Sequence, residues 1–169
     1  MEQKSFAGWC AAIALLACLA APAAFAITGT MTGDYAAMLN TSGCGAASGQ
    51  GTFTLSLKAG GKWRLVDESG NVLAGRFVAD SSQRVLTLTL DSRSEDYMVN
   101  LVRDAATRLC GTKAKVVSHS PPTGKIRLGA NFMTASGGLS FSGRGKTKYG
   151  TGTAKYTANF LSARFRRTS

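Results

Sequence analysis

From Gly51 to Asp91 apolar and polar residues alternate with a period of two. Phe53, Leu55 and Leu57 share one face of the first run, with Thr54, Ser56 and Lys58 on the other. After a Gly60-Gly61 turn, Trp63 and Leu65 alternate with Lys62 and Arg64. Asp67-Glu68-Ser69-Gly70-Asn71 marks the next reversal, Val72 to Val78 returns, and Asp80-Ser81-Ser82 turns again. Leu86, Leu88 and Leu90 then alternate with Thr87 and Thr89. Alternation broken at intervals by Gly, Asn, Asp and Ser predicts consecutive antiparallel strands joined by tight turns. One wet face and one dry face fit a sheet curled over a core, whereas a buried parallel sheet reads as continuous apolar runs.

The flanking segments extend this pattern. Thr28 to Asn40 reads as a first strand, and the Gly-, Ser- and Ala-rich Thr41 to Gln50 as a loop carrying Cys44. Between Ser94 and Cys110 the period changes: Tyr97, Leu101, Ala105 and Leu109 recur every four residues, flanked by Met98 and Val102. Ser94 as cap, Glu95 and Asp96 in the first turn, Arg103 and Arg108 later and Gly111 at the end predict a helix. The competing reading is a strand from Tyr97 to Val102 paired with Leu86 to Leu90. Lys113 to Ser118 resumes alternation until Pro121-Pro122. Lys125 to Thr134 puts Ile126, Leu128, Ala130 and Phe132 on one face, and Gly137-Gly138 reads as a turn. Leu139 to Lys148 and Thr151 to Phe165 follow as strands around a turn at Gly150, with Tyr156, Ala158 and Phe160 inward and Arg166 to Ser169 as a frayed tail.

Residues 1–26 read as a secretory leader. A short polar start is followed by the apolar Phe6 to Ala21 and by Ala24-Phe25-Ala26, a small-x-small cleavage site. An uncleaved anchor is the alternative. A third reading is lipidation at Cys18, because Leu15-Leu16-Ala17-Cys18 loosely resembles a bacterial lipobox. Residues 27–169 then form one domain by length. The expected location is periplasmic or secreted, in a bacterium. Cys10 and Cys18 fall in the leader, leaving Cys44 and Cys110. An even pair in an exported chain is most simply a disulfide, here closing a loop of about 66 residues.

Charge changes the picture most. From Ile27 to Asp104 seven Lys or Arg face eight Asp or Glu, whereas from Ala105 to Ser169 there are twelve Lys or Arg and no acid. The formal net charge of +11 therefore resides in the second half. Lys125 and Arg127, then Arg144, Lys146 and Lys148, then Lys155 fall on the polar faces of strands there. If these strands are neighbours, the six form one positive surface that attracts polyanions and weakens with salt. Candidate partners in an exported compartment are lipopolysaccharide, anionic lipid, cell-wall polymers, extracellular DNA or an acidic protein. The bland alternative is a solvated face that confers solubility. Nucleic-acid readers interleave stacking aromatics with basic residues. Phe141, Tyr149 and Tyr156 are the candidates here, but Phe141 and Tyr156 alternate as core residues, so specific nucleic-acid recognition is not expected.

Catalytic patterns are poor. Ser140 to Thr147 lacks the first Gly of a phosphate loop and precedes no helix. His119 is the only histidine, lies in a loop reading, and has no Gly-x-Ser-x-Gly elbow to serve. Asp67-Glu68 and Glu95-Asp96 sit at a turn and a helix start, where acids are ordinary. No enzyme, cofactor or metal is expected.

Gly33-Asp34-Tyr35, Leu39, Cys44, Thr52 to Leu57 and the Gly-Gly-Lys-Trp hairpin resemble the opening of small lipocalin-like barrels, nearest to the barrel domain of NlpE-type envelope lipoproteins. The resemblance covers Thr28 to Asp91. It implies an up-and-down barrel in the bacterial envelope with a sensing or adaptor role. That family's Cys-x-x-Cys is missing, so a copper or thiol role does not carry over. The expectation is a mainly β, lipocalin-like barrel of eight or nine antiparallel strands with one helix near 94–110. Three functions fit it: an exported binding protein using the basic face, a carrier of a small apolar ligand inside the barrel, or an inhibitor or structural adaptor. A barrel filled by Trp63, Phe77, Phe132 and Phe160 would exclude the carrier.

Overall fold

In the computed structural model, which describes residues 27–168, the alternation over Gly51–Asp91 becomes the meander that the sequence predicts. The expected leader, its expected cleavage site and Cys18 lie outside these residues. The order is β1 (Gly29–Thr41), β2 (Gly45–Lys58), β3 (Lys62–Asp67), β4 (Val72–Ala79), β5 (Val85–Leu90), α1 (Ser92–Cys110), β6 (Lys115–His119), β7 (Thr123–Leu128), β8 (Thr134–Thr147) and β9 (Gly150–Arg167). All pairings are antiparallel, and β8 pairing with β9 closes β8-β7-β5-β4-β3-β2-β1-β9 into an eight-stranded barrel. Closure leaves no long sheet edge to template aggregation. β7 and β6 share the remaining edge of β8, at Ala135–Ser140 and Gly143–Lys146 respectively. Pro121-Pro122 separates them, where two residues without an N–H cannot extend a ladder.

The inward residues of these strands fill the barrel. Leu55, Leu86, Leu88 and Ile126 are fully buried, and Phe53 stacks on Phe160 with ring centroids 4.5 Å apart. Trp63 is 2 % exposed. Its Nε1 donates to the Arg76 and Thr89 carbonyls at 2.9 and 3.0 Å, which satisfies the buried indole N–H. Gly75 pairs with Trp63, and a Cβ there would run into the Thr89 carbonyl. Its missing side chain lets β5 close on β4 around the indole. Phe77 and Phe160 are buried as well, but Phe132 lies in the β7–β8 turn at φ 56, half-buried beneath the Arg84 guanidinium.

The helix forms where the four-residue spacing places it and lies across one opening of the barrel, with Met98 and Val102 joining the core. The buried line is Ser94, Met98, Val102 and Ala106, flanked by the half-buried Tyr97, Leu101, Ala105 and Leu109. Asp91, not Ser94, is the cap: its Oδ1 accepts from the Ser94 N–H at 2.8 Å. Ser94 is buried, and its Oγ accepts from the Ala74 N–H of β4 at 2.8 Å, pinning the helix start to the barrel. Asp91→Ala is expected to lower stability by about 1 kcal/mol, read as a lower urea midpoint with an unchanged slope.

Four further readings are corrected. The expected loop Thr41–Gln50 is mostly strand: β2 begins at Gly45, and only Ser42–Cys44 turn. Small residues mask its pairing, because most of this stretch is exposed and needs no apolar alternation. Gly137-Gly138 lies inside β8, and the turn is at 129–133, so Ala130 and Phe132 are not strand residues. At Gly137 a Cβ would strike the Lys125 carbonyl, and at Gly138 the Ala158 carbonyl. These glycines permit close strand approach rather than reversal. Arg166 and Arg167 are not frayed but pair with Thr30 and Gly29.

Candidate anion-binding face

Strand parity decides where the basic residues go. On β7 the buried Gly124, Ile126 and Leu128 alternate with the exposed Lys125 and Arg127. On β8 the buried Leu139 and Phe141 fix the opposite parity for Ser140, Ser142, Arg144 and Lys146, all exposed. On β9 Lys155 is exposed opposite Ser142, and Lys148 sits in the β8–β9 turn with its Nζ 4.8 Å from the Tyr149 ring centroid. Because β7, β8 and β9 are neighbours, all six residues lie on one outer wall. Lys115 of β6, opposite Lys146, extends it. From Arg127 at Ser136 to Lys146 the wall is roughly 30 Å long at about 3.4 Å per residue.

No acid neutralises this wall. Among the described residues the ion pairs are Arg103–Asp104 at 2.9 Å and His119–Glu95 at 3.5 Å, and neither includes any of the six. The acids are used elsewhere. Asp67 accepts from the Ser69 and Asn71 N–H groups, and Glu68 from Thr52. Asp80 accepts from the Val85 N–H, the Ser82 hydroxyl and the Arg84 N–H, bonds that hold its carboxyl below the usual range, and Asp91 caps the helix.

A groove of about 460 Å³ runs along the same wall. Its middle is the cross-strand row Thr87, Lys125, Gly138 and Asn159. Gly138 contributes no side chain, so the floor is backbone. Lys125 and Arg127 stand at one side, with Ser140, Thr157 and Asn159 at the other. Cations and neutral donors around a bare backbone floor can hold a charged, hydroxyl-rich segment. Sequence reading took the floor glycines for a turn and so missed the groove.

Two further recesses adjoin the helix. One, of about 330 Å³, lies between the strand tips and the end of α1, lined by Cys44, Cys110, Ala106 and Ala114 with Lys146 and Tyr149. Cys44 and Cys110 are bonded, Cα atoms 5.0 Å apart, and tie the β1–β2 turn to the last helical residue. The other, of about 240 Å³, lies under the helix between Phe53, Met98, Phe160 and three tyrosines, Tyr35, Tyr97 and Tyr156.

Burial pushes the Tyr156 phenol up to about 12, reinforced by Tyr35, Tyr97 and Asp67. Tyr35 and Tyr97 are raised too, chiefly by burial. Below the ordinary tyrosine value of 10.0 folded and unfolded chains both keep the proton, and this contribution to stability is complete. Between that value and about 12 the unfolded chain ionises first, so the contribution is lost as pH rises. The loss amounts to about 2–3 kcal/mol. Tyr156→Phe should flatten the decline in urea midpoint over this window and remove the highest-pH phenolate transition at 295 nm.

A second basic cluster emerges that the charge count over the chain conceals. Lys58, Lys62 and Arg76 are adjacent across β2, β3 and β4, and Arg64 lies two residues along β3. All four are exposed. The first half is balanced in sequence, yet apart from Asp34 on β1 its acids fold into turns, strand ends and the helix while these bases stay on the wall. Marking strand parity before counting charge would have found them.

Comparison with protein-family models and with curated proteins yields no match to this chain. The small closed barrel agrees with the lipocalin-like architecture that its first half resembles.

Proposed function

We propose that this is a non-enzymatic, exported binding protein whose β7–β9 wall holds an anionic partner. The observation that carries this reading is the convergence of Lys125, Arg127, Arg144, Lys146, Lys148 and Lys155 on three adjacent strands and their connecting turn, with none of the six ion-paired to an acid among the described residues. A convex wall of fixed cations binds through counterion release, so affinity falls steeply with salt. Lipopolysaccharide, anionic lipid, a cell-wall polymer and an acidic protein all present the required charge. The bond between Cys44 and Cys110 supports an oxidising, exported location, because such bonds are rare in reducing compartments. Kinship with NlpE-type envelope proteins remains part of this proposal and rests on the barrel and the first-half motifs alone.

The test is retention of the oxidised mature chain on a heparin column. Wild type should elute late and Arg144/Lys146/Lys148/Lys155→Gln early. Early elution of both would contradict the reading.

The tyrosine-rimmed recess favours a second reading, a carrier of a small apolar molecule. At about 240 Å³ it is below the roughly 300–1,000 Å³ usual for ligand pockets. Trp63, Phe77 and Phe160 already fill the barrel beside it. The wall therefore supports function better than the interior does.

A further inference from the structure

We infer that the barrel is bivalent: Lys58, Lys62, Arg64 and Arg76 form a second polyanion-binding face, and one molecule can bridge two anionic polymer segments. This rests on the proposed role of the β7–β9 wall and extends it. In the closed order β8-β7-β5-β4-β3-β2-β1-β9, β3 lies four strands from β8 in either direction. The face centred on β3 is thus diametrically opposite the face centred on β8.

The two faces are separate, not parts of one belt. On one side the strand between them is β5, whose outward residues are Val85, Thr87 and Thr89. On the other it is β1, whose outward residues include Thr30, Thr32, Asp34, Met38 and Asn40. Neither seam strand carries a cation of its own, although Arg164 and Arg166 of β9 stand beside Thr32 and Thr30, and Asp34 places a negative charge on the β1 seam. Eight strands about 4.8 Å apart and tilted by about 40° give a backbone diameter of roughly 16 Å. Side chains on both walls add to that separation. The screening length is about 8 Å at physiological ionic strength, so the face centres on β3 and β8 meet their ligands independently, while the flanks approach most closely at Arg76 and Lys125, roughly 12 Å apart across β5.

The second face has the spacing that a linear polyanion needs. Lys58, Lys62 and Arg76 stand side by side at strand spacing, about 4.8 Å, and Arg64 lies about 7 Å from Lys62 along the strand. None of the four takes part in an ion pair among the described residues. Asp91 borders the patch, but its Oδ1 accepts from the helix N-terminus. A segment of phosphorylated or sulfated polymer is the partner this chemistry fits.

The test uses the oxidised mature chain bound to saturation on immobilised heparin, followed by labelled soluble heparin. Wild type is expected to capture the soluble polymer as a second layer. Lys58/Lys62/Arg64/Arg76→Gln and Arg144/Lys146/Lys148/Lys155→Gln should each still load onto the support at low salt. Each should capture at least about fivefold less soluble polymer, because four lost contacts weaken the remaining electrostatic binding steeply. Wild type that loads but captures nothing overturns bivalency and leaves the single-face reading standing. Undiminished capture by the β2–β4 variant also overturns it. Wild type that fails to load overturns both readings.

Discussion

Replacing Cys44 and Cys110 together with Ser should lower stability by about 2–4 kcal/mol, read as a fall in the urea midpoint. The two residues are 66 apart, and a loop of that size removes considerable entropy from the unfolded chain. The ladder of the barrel does not depend on the bond, since β8 and β9 close it by main-chain pairing. Met98 and Val102 should also keep the helix docked. The change in the native state should therefore be local: faster amide exchange from Arg103 to Cys110 and at the β1–β2 turn, with β3–β5 protected as before relative to global stability. An unchanged midpoint would mean that the bond adds nothing to helix docking. Collapse of protection throughout the barrel would mean that closure itself requires it. Retention on heparin should survive the change, because Lys125 and Arg127 are held by β7, away from the bond, and Lys155 by its pairing in β9.

The second large effect is expected from neutralising Arg144, Lys146, Lys148 and Lys155. All are exposed and unpaired among the described residues, so the fold should be unaffected and the urea midpoint should hold or rise slightly. Binding should respond differently. Each phosphate-type contact contributes roughly 0.7 to the slope of log affinity against log salt for a flexible polyanion. Four lost contacts reduce that slope by about 3, and affinity at moderate salt falls by orders of magnitude. A stability loss comparable to that of the disulfide variant would instead show these side chains to be part of the packing.

The residues differ in how much of this structure they disclose. Phe53 to Leu57, Trp63 to Leu65 and Leu86 to Leu90 are legible because one face of each strand is buried, and burial writes a period of two into the chain. Gly45 to Gly51 carries no such record, since its strand is largely exposed and built of small residues. Gly137 and Gly138 mislead for another reason. Glycine marks reversals, but it also serves where two backbones crowd together, and here the Lys125 and Ala158 carbonyls leave no room for a Cβ. Ser94 reads as a cap by type, yet Asp91 accepts from the Ser94 N–H, and the Ser94 hydroxyl bonds to β4 instead.

The β7–β9 wall was readable because Lys125 to Lys155 lie in a stretch without acids. The β2–β4 face was not, because Asp67, Glu68 and Asp80 interleave with Lys62, Arg64 and Arg76 in sequence and separate only on folding. Closure of the barrel, which makes opposite walls of β3 and β8, depends on a pairing between β1 and β9 at the two ends of the domain. Local patterning does not encode that contact.

The most direct measurement compares heparin affinity as a function of salt for wild type and two variants of equal charge. One is Arg144/Lys146/Lys148/Lys155→Gln on the wall. The other is Arg93/Arg103/Arg108/Lys113→Gln on and after the helix, off both walls. If the wall is the working surface, the first variant loses about 3 from the salt slope and the second keeps the wild-type slope. Equal losses in both variants, or none in either, would show that net charge rather than a defined face governs the interaction.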